Sequence, residues 1–168
     1  MIRRFIFVAL LLVAALPALR AHDPYTSWTD LRVLPDRLEL TLTLARGSAL
    51  RLLPNAEKLA PITEDNFAVY AEPLRIVAPL IFFLVADGKP LRLVSATPKL
   101  GDEKDLVFVL VYPRPPAASL RIRADYLRLQ VDGHTGTVAA MDPAGQDLGW
   151  APLNVDEPEL AVKLPPAK

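Results

Sequence analysis

The sequence contains no cysteine. That absence excludes disulfides, thiol nucleophiles and lipid attachment through an N-terminal cysteine. Stability must then come mainly from buried apolar side chains. Histidine is nearly as scarce, with two residues in 168, and there are only seven glycines. Those glycines form neither a Walker loop nor a Gly-x-Gly-x-x-Gly fingerprint. Ser27, Ser48, Ser95 and Ser119 lack the Gly-x-Ser-x-Gly frame of a nucleophile elbow. The acidic pairs Glu64/Asp65 and Asp102/Glu103 read as a helix start and a solvated turn, which leaves no carboxylate pair for catalysis. Basic residues form no large patch, so nucleic acid is not an expected partner. The expectation is a protein that is not an enzyme.

Long apolar runs are also lacking, with one instructive exception. Arg3 and Arg4 precede an unbroken apolar run of twelve residues, 5–16, which Pro17 ends. A spanning helix needs ~20 residues, so this length suits the hydrophobic region of an export signal. Ala18-Leu19-Arg20-Ala21 follows as a cleavage region. Residues 1–21 therefore read as a cleavable signal peptide, and the mature chain is expected to be periplasmic or extracellular with no transmembrane segment. Cleavage removes three arginines and leaves 16 basic against 19 acidic residues, a net charge of −3.

The mature chain reads as strands. From Arg37 to Leu44 apolar and polar residues alternate without a break, the pattern of a half-buried strand. Asp30 to Val33 alternates in the same way, with Pro35-Asp36 between, so the two segments form a hairpin. The runs 81–86 and 105–112 are apolar on both faces. Asp87-Gly88 is a turn signal that makes 91–96 the partner of 81–86. Leu120, Ile122, Ala124 and Tyr126 give the next inner face, and 135–141, 148–153 and 160–164 three more strands. Thr63 is placed as the cap of a short helix whose first turn holds Glu64 and Asp65. Trp28 and Trp150 read as core or rim anchors. The expected fold is all-β: an antiparallel β-sandwich, Ig-like or cupredoxin-like, with a short helical insertion near residues 63–72. Residues 22–164 form its single domain and 165–168 a frayed tail.

The histidines carry the only unusual chemistry. Cleavage after Ala21 makes His22 the first residue, and a terminal histidine offers its α-amine and ring Nδ1 to one metal ion. His134 can add a third nitrogen, and such nitrogen-rich sets suit Cu(II). Asp23 and Asp132 lie beside the two histidines in sequence and offer oxygen. The stretch Val131-Asp132-Gly133-His134-Thr135-Gly136 has the composition of an ordinary turn, where a histidine is commonly solvated.

Two resemblances bear on this. The mature start His22-Asp23-Pro24-Tyr25-Thr26-Ser27-Trp28, followed by the alternating hairpin, resembles small exported bacterial proteins and the extramembrane N-terminal region of HupE/UreJ-type permeases. That likeness implies a membrane permease or another envelope protein as partner. The chain departs from the permeases in having no transmembrane helices after the hairpin. His22 and Asp132-Gly133-His134 are also similar in placement to the initial His and the late Asp-Gly-His of copper-resistance C-type periplasmic carriers. This second resemblance implies copper held by His22 and His134, with Asp23 or Asp132 as the weaker assignment. Without metal, the chain reads as an envelope interaction domain accessory to a permease.

The first expected outcome concerns processing. Intact-mass or N-terminal analysis of exported protein should find His22 as the first residue. A mature chain that retains residues 5–16 would refute cleavage and remove the α-amine ligand.

Overall fold

The unbroken alternation in residues 37–44 lies on an interior strand of the larger of two sheets. The computed structural model describes residues 24–102 and 104–166. The expected signal peptide, His22 and Asp23 lie outside the described residues. In chain order the strands are β1 (Thr26–Val33), β2 (Arg37–Ala45), β3 (Phe82–Ala86), β4 (Lys89–Pro90), β5 (Ser95–Leu100), β6 (Asp105–Pro113), β7 (Ser119–Ala124), β8 (Thr135–Met141), β9 (Asp147–Leu153) and β10 (Glu159–Lys163). Helix α1 is Arg46–Leu50 and helix α2 is Phe67–Val77, with 3-10 turns at Ala56–Lys58, Ala78–Leu80 and Asp125–Leu129. One sheet has the order β5-β6-β2-β1-β8-β9 and the other β10-β7-β3-β4. The fold is a β-sandwich with a helical insertion.

The core forms from alternate side chains of both sheets. Leu38, Leu40, Leu42 and Leu44 of β2 are fully buried, as are Leu106, Phe108 and Leu110 of β6. Leu120, Ile122 and Ala124 close on them from β7. The hairpin register runs from Ser27↔Leu44 to Val33↔Leu38, as the alternation requires. Helix α2 adds Tyr70 and Leu74, one turn apart on its inner face.

Four expectations change. The helix starts at Phe67, not at Thr63. Asn66 ties the preceding turn together instead, because its Oδ1 accepts from Thr63 N (2.8 Å) and its Nδ2 donates to Pro61 O (3.0 Å). The segment after Asp87-Gly88 pairs with β3 only over Lys89 and Pro90. One further bond, from Leu91 N to Leu84 O (2.9 Å), follows before the chain crosses to the large sheet, where β5 pairs with β6. β3 is not buried on both faces: Phe83 points outward and carries the Arg123 guanidinium 4.8 Å from its ring. One strand pair is parallel, with β1 beside β8 from Thr26↔Thr135 to Arg32↔Met141. Leu164, at the end of the last expected strand, is buried, and its N–H donates to Ala118 O.

The tryptophans are a further correction. Trp28 is 48% and Trp150 63% exposed. Along β1 the buried positions are Ser27, Thr29, Leu31 and Val33, so Trp28, Asp30 and Arg32 take the outer face. The Trp28 indole N–H donates to Asp30 Oδ1 at 2.9 Å. Among the described residues no helix is long and apolar enough to cross a membrane.

The packing sets a stability contrast. Truncating the fully buried Leu42 to Ala should cost about 2–5 kcal/mol in equilibrium unfolding, whereas Thr41→Ser on the outer side should cost under ~0.5 kcal/mol. Equal losses would mean that the two faces of β2 have been interchanged.

Candidate functional site

His134 is the described member of the predicted metal set that the fold takes into its interior. It is 5% exposed, not solvated as a turn histidine ordinarily is. The turn Val131-Asp132-Gly133-His134 closes with His134 N donating to Val131 O (3.1 Å), and Gly133 takes φ +82°. The chain then enters β8, whose inner positions are Gly136, Val138 and Ala140. His134 occupies the same parity, so the pleat carries its ring inward.

The beginning of the described chain is fastened to this turn. Thr135 N donates to Tyr25 O (2.9 Å), and Ser48 Oγ donates to Pro24 O (3.1 Å). Two residues on, Ser27 points into the sandwich and becomes the hub of a buried polar cluster. Its Oγ donates to Thr135 O at 3.2 Å. Tyr126 Oη lies 2.6 Å away and His134 Nε2 3.1 Å away.

A serine hydroxyl has one proton, and a carbonyl oxygen can only accept. Thr135 O, Tyr126 Oη and His134 Nε2 all lie within reach of that hydroxyl, and the donor in the His134 contact follows from the imidazole tautomer. Burial pushes the Tyr126 phenol up to about 12, although the Ser27 and Thr29 hydroxyls pull it partly back. The phenol is thus a neutral, dependable donor near neutral pH. Phe82 packs edge-on against it with ring centroids 5.5 Å apart. Gly136, opposite Ser27 in the ladder, makes the space, since a Cβ there would meet Tyr126 Oη at 2.8 Å and Ser27 Oγ at 3.1 Å.

A hydrolytic serine must be reachable by its substrate, whereas Ser27 is buried.

Of the other expected ligands, Asp132 is exposed in the turn, and His22 and Asp23 lie outside the described residues. Among the described residues, no group of three or more His, Asp or Glu side chains is placed to hold a metal. The sequence reading missed Ser27, Thr29 and Tyr126 as members of the buried polar cluster that His134 joins. The signal for the first two was present: extending the β1 alternation upstream from Leu31 puts Thr29 and Ser27 inward. Tyr126 was placed inward but on a strand, whereas it lies in the 3-10 turn Asp125–Leu129. No protein-family model and no curated protein matches this chain.

The raised phenol has a consequence at alkaline pH. The folded pKa of about 12 exceeds the ordinary 10, so the stability that Tyr126 supplies is complete below pH 10 and lost as pH rises toward 12. Denaturant unfolding between pH 9 and 12 should therefore show a steeper alkaline loss in the native chain than in Tyr126→Phe. Identical pH slopes would show that the phenol does not ionise more readily on unfolding.

Proposed function

We propose that this chain is an exported, non-enzymatic β-sandwich that binds a transition metal, copper(II) foremost, through the mature N-terminal His22 and through His134. The observation that carries this reading is the fastening of the chain's beginning to the His134 turn by the bond from Thr135 N to Tyr25 O. His22 lies three residues upstream of Tyr25, a reach of at most ~10 Å. The donor set also fits. A metal-binding imidazole commonly donates its other ring N–H to a fixed acceptor, and Ser27 Oγ fills that role for His134 Nε2. The α-amine and ring of a terminal His22 supply the remaining nitrogens, with Asp23 or Asp132 as the oxygen donor. Copper is the cargo of such a protein, and the chain's part is to hold and present it.

A second reading, a metal-free envelope interaction domain accessory to a membrane permease, has its own support. Trp28, Trp150 and Met141 stand exposed on the outer face of the large sheet. Val69, Ile76 and Leu80 stand exposed along α2 and the turn that follows. Exposed apolar groups of this kind mark contact surfaces.

The test is calorimetric or spectroscopic Cu(II) titration of three proteins: the authentic mature chain, the same chain with one residue added before His22, and His134→Ala. The extension should damage binding although every side chain is kept. His134→Ala should weaken binding less, because the terminal chelate survives. Equal binding by all three, or binding by none, would overturn the metal reading and leave the interaction domain.

A further inference from the structure

We propose that a cleft beside the start of β1 binds a small organic anion carrying two or more carboxylates. The proposal is independent of the copper reading and uses different side chains. The cleft has a volume of about 470 Å3, within the range of small-molecule sites. Five stretches of chain distant in sequence build it. Pro24 and Tyr25 form one side and α1 another, while Ile62 and Val131 supply apolar wall. Lys104, just before β6, completes the rim.

Charge is what distinguishes this cleft. Arg46, Arg51 and Lys104 all line it, and no acidic side chain is among its described lining residues. The mature chain is net negative, so three cations facing one cavity run against the overall charge and create a local positive field. The backbone joins two of them, because Arg46 N donates to Lys104 O at 2.9 Å.

Arg46 is the anchoring residue. Its side chain is only 15% exposed, and its Nε–H is directed at Asp105 O at 3.4 Å. Its carboxylate partner within the chain is a poor one: Glu64 is 81% exposed, with an N···O separation of 3.8 Å. An ion pair that wet contributes little. A ligand carboxylate entering the cleft meets a guanidinium already largely withdrawn from water and pre-oriented, the condition under which charge-assisted hydrogen bonds are strong. Arg51 and Lys104, both exposed, are placed to receive a second carboxylate. The apolar wall of Ile62 and Val131 favours an anion with a carbon framework over a bare inorganic one.

Gly47 makes the idea testable without loss of the fold. It lines the cleft, and a Cβ added there meets nothing within 4 Å. Gly47→Glu therefore puts a carboxylate into the cleft, and Gly47→Ala is its uncharged control.

The experiment is isothermal titration of the mature protein with phthalate, citrate and inorganic phosphate at low and high salt, accompanied by thermal unfolding of every variant. Phthalate and citrate should bind, more weakly at high salt, and phosphate least well. Arg51→Gln and Lys104→Gln should each weaken binding roughly tenfold, the equivalent of one charge-assisted hydrogen bond. Gly47→Glu should abolish binding while unfolding at the temperature of Gly47→Ala, which should bind normally. The proposal is overturned if neither carboxylate binds at millimolar concentration, if Gly47→Glu and Arg51→Gln bind like the native chain, or if phosphate binds as tightly as phthalate. Copper titration of Arg51→Gln, which leaves both histidines in place, should be unchanged, so failure of the anion site and failure of the copper site are separately visible.

Discussion

Strand β1 is hydrogen-bonded on both sides, antiparallel to β2 and parallel to β8, and the large sheet depends on that double pairing. Four strands, β5-β6-β2-β1, lie on one side of the β1/β8 seam and two, β8-β9, on the other. Separating the seam would also undo the polar cluster, because Ser27 comes from β1, Thr135 from β8 and His134 from the turn leading into β8. A parallel pair requires a long connection, and this one runs through β2 to β7. With no cysteine to shorten the closure, the cost of bringing such distant segments together must be met by the apolar side chains the seam helps to bury.

Most of the fold was legible because most of it follows a period of two. Leu38 to Leu44 and Leu120 to Ala124 show their inner faces directly in the letters. β8 begins and ends where its residues suggest. Where the reading failed, a local signal was competing with a tertiary one. Asp87-Gly88 does make a turn, but whether the next segment continues the same sheet is decided by what β6 offers across the sandwich. Thr63 has the side chain of a helix cap, yet the amide of Asn66 closes the turn ahead of it. Trp28 and Trp150 were taken for anchors because of their size, whereas strand parity puts them outside.

The site was legible by residue type and not by environment. Histidine scarcity singled out His134, but burial, tautomer and hydroxyl partners arise from side chains about a hundred positions apart, such as Ser27 and Tyr126. No local window contains that information. The role of Gly136 is similar. Nothing in Thr135-Gly136-Thr137 announces that a methyl group there would strike a phenol, and the requirement exists only once β1, β8 and the 125–129 turn have met. Ser27 is a small residue in an unremarkable heptapeptide, yet its hydroxyl is the point at which a strand carbonyl, a phenol and an imidazole meet.

The β1–β8 seam has a further consequence for biogenesis. Polypeptides are made from the N-terminus, so β1 appears long before β8 exists. Until then the chain can form the β1–β2 hairpin and add β6, but the outer edge of β1 keeps its backbone amides and carbonyls unsatisfied, with Trp28 alongside. Such an open ladder is sticky toward other extended chains, and nascent intermediates of high contact order hold that exposure longest. This architecture therefore defers the final zippering of the large sheet until β8 has been released.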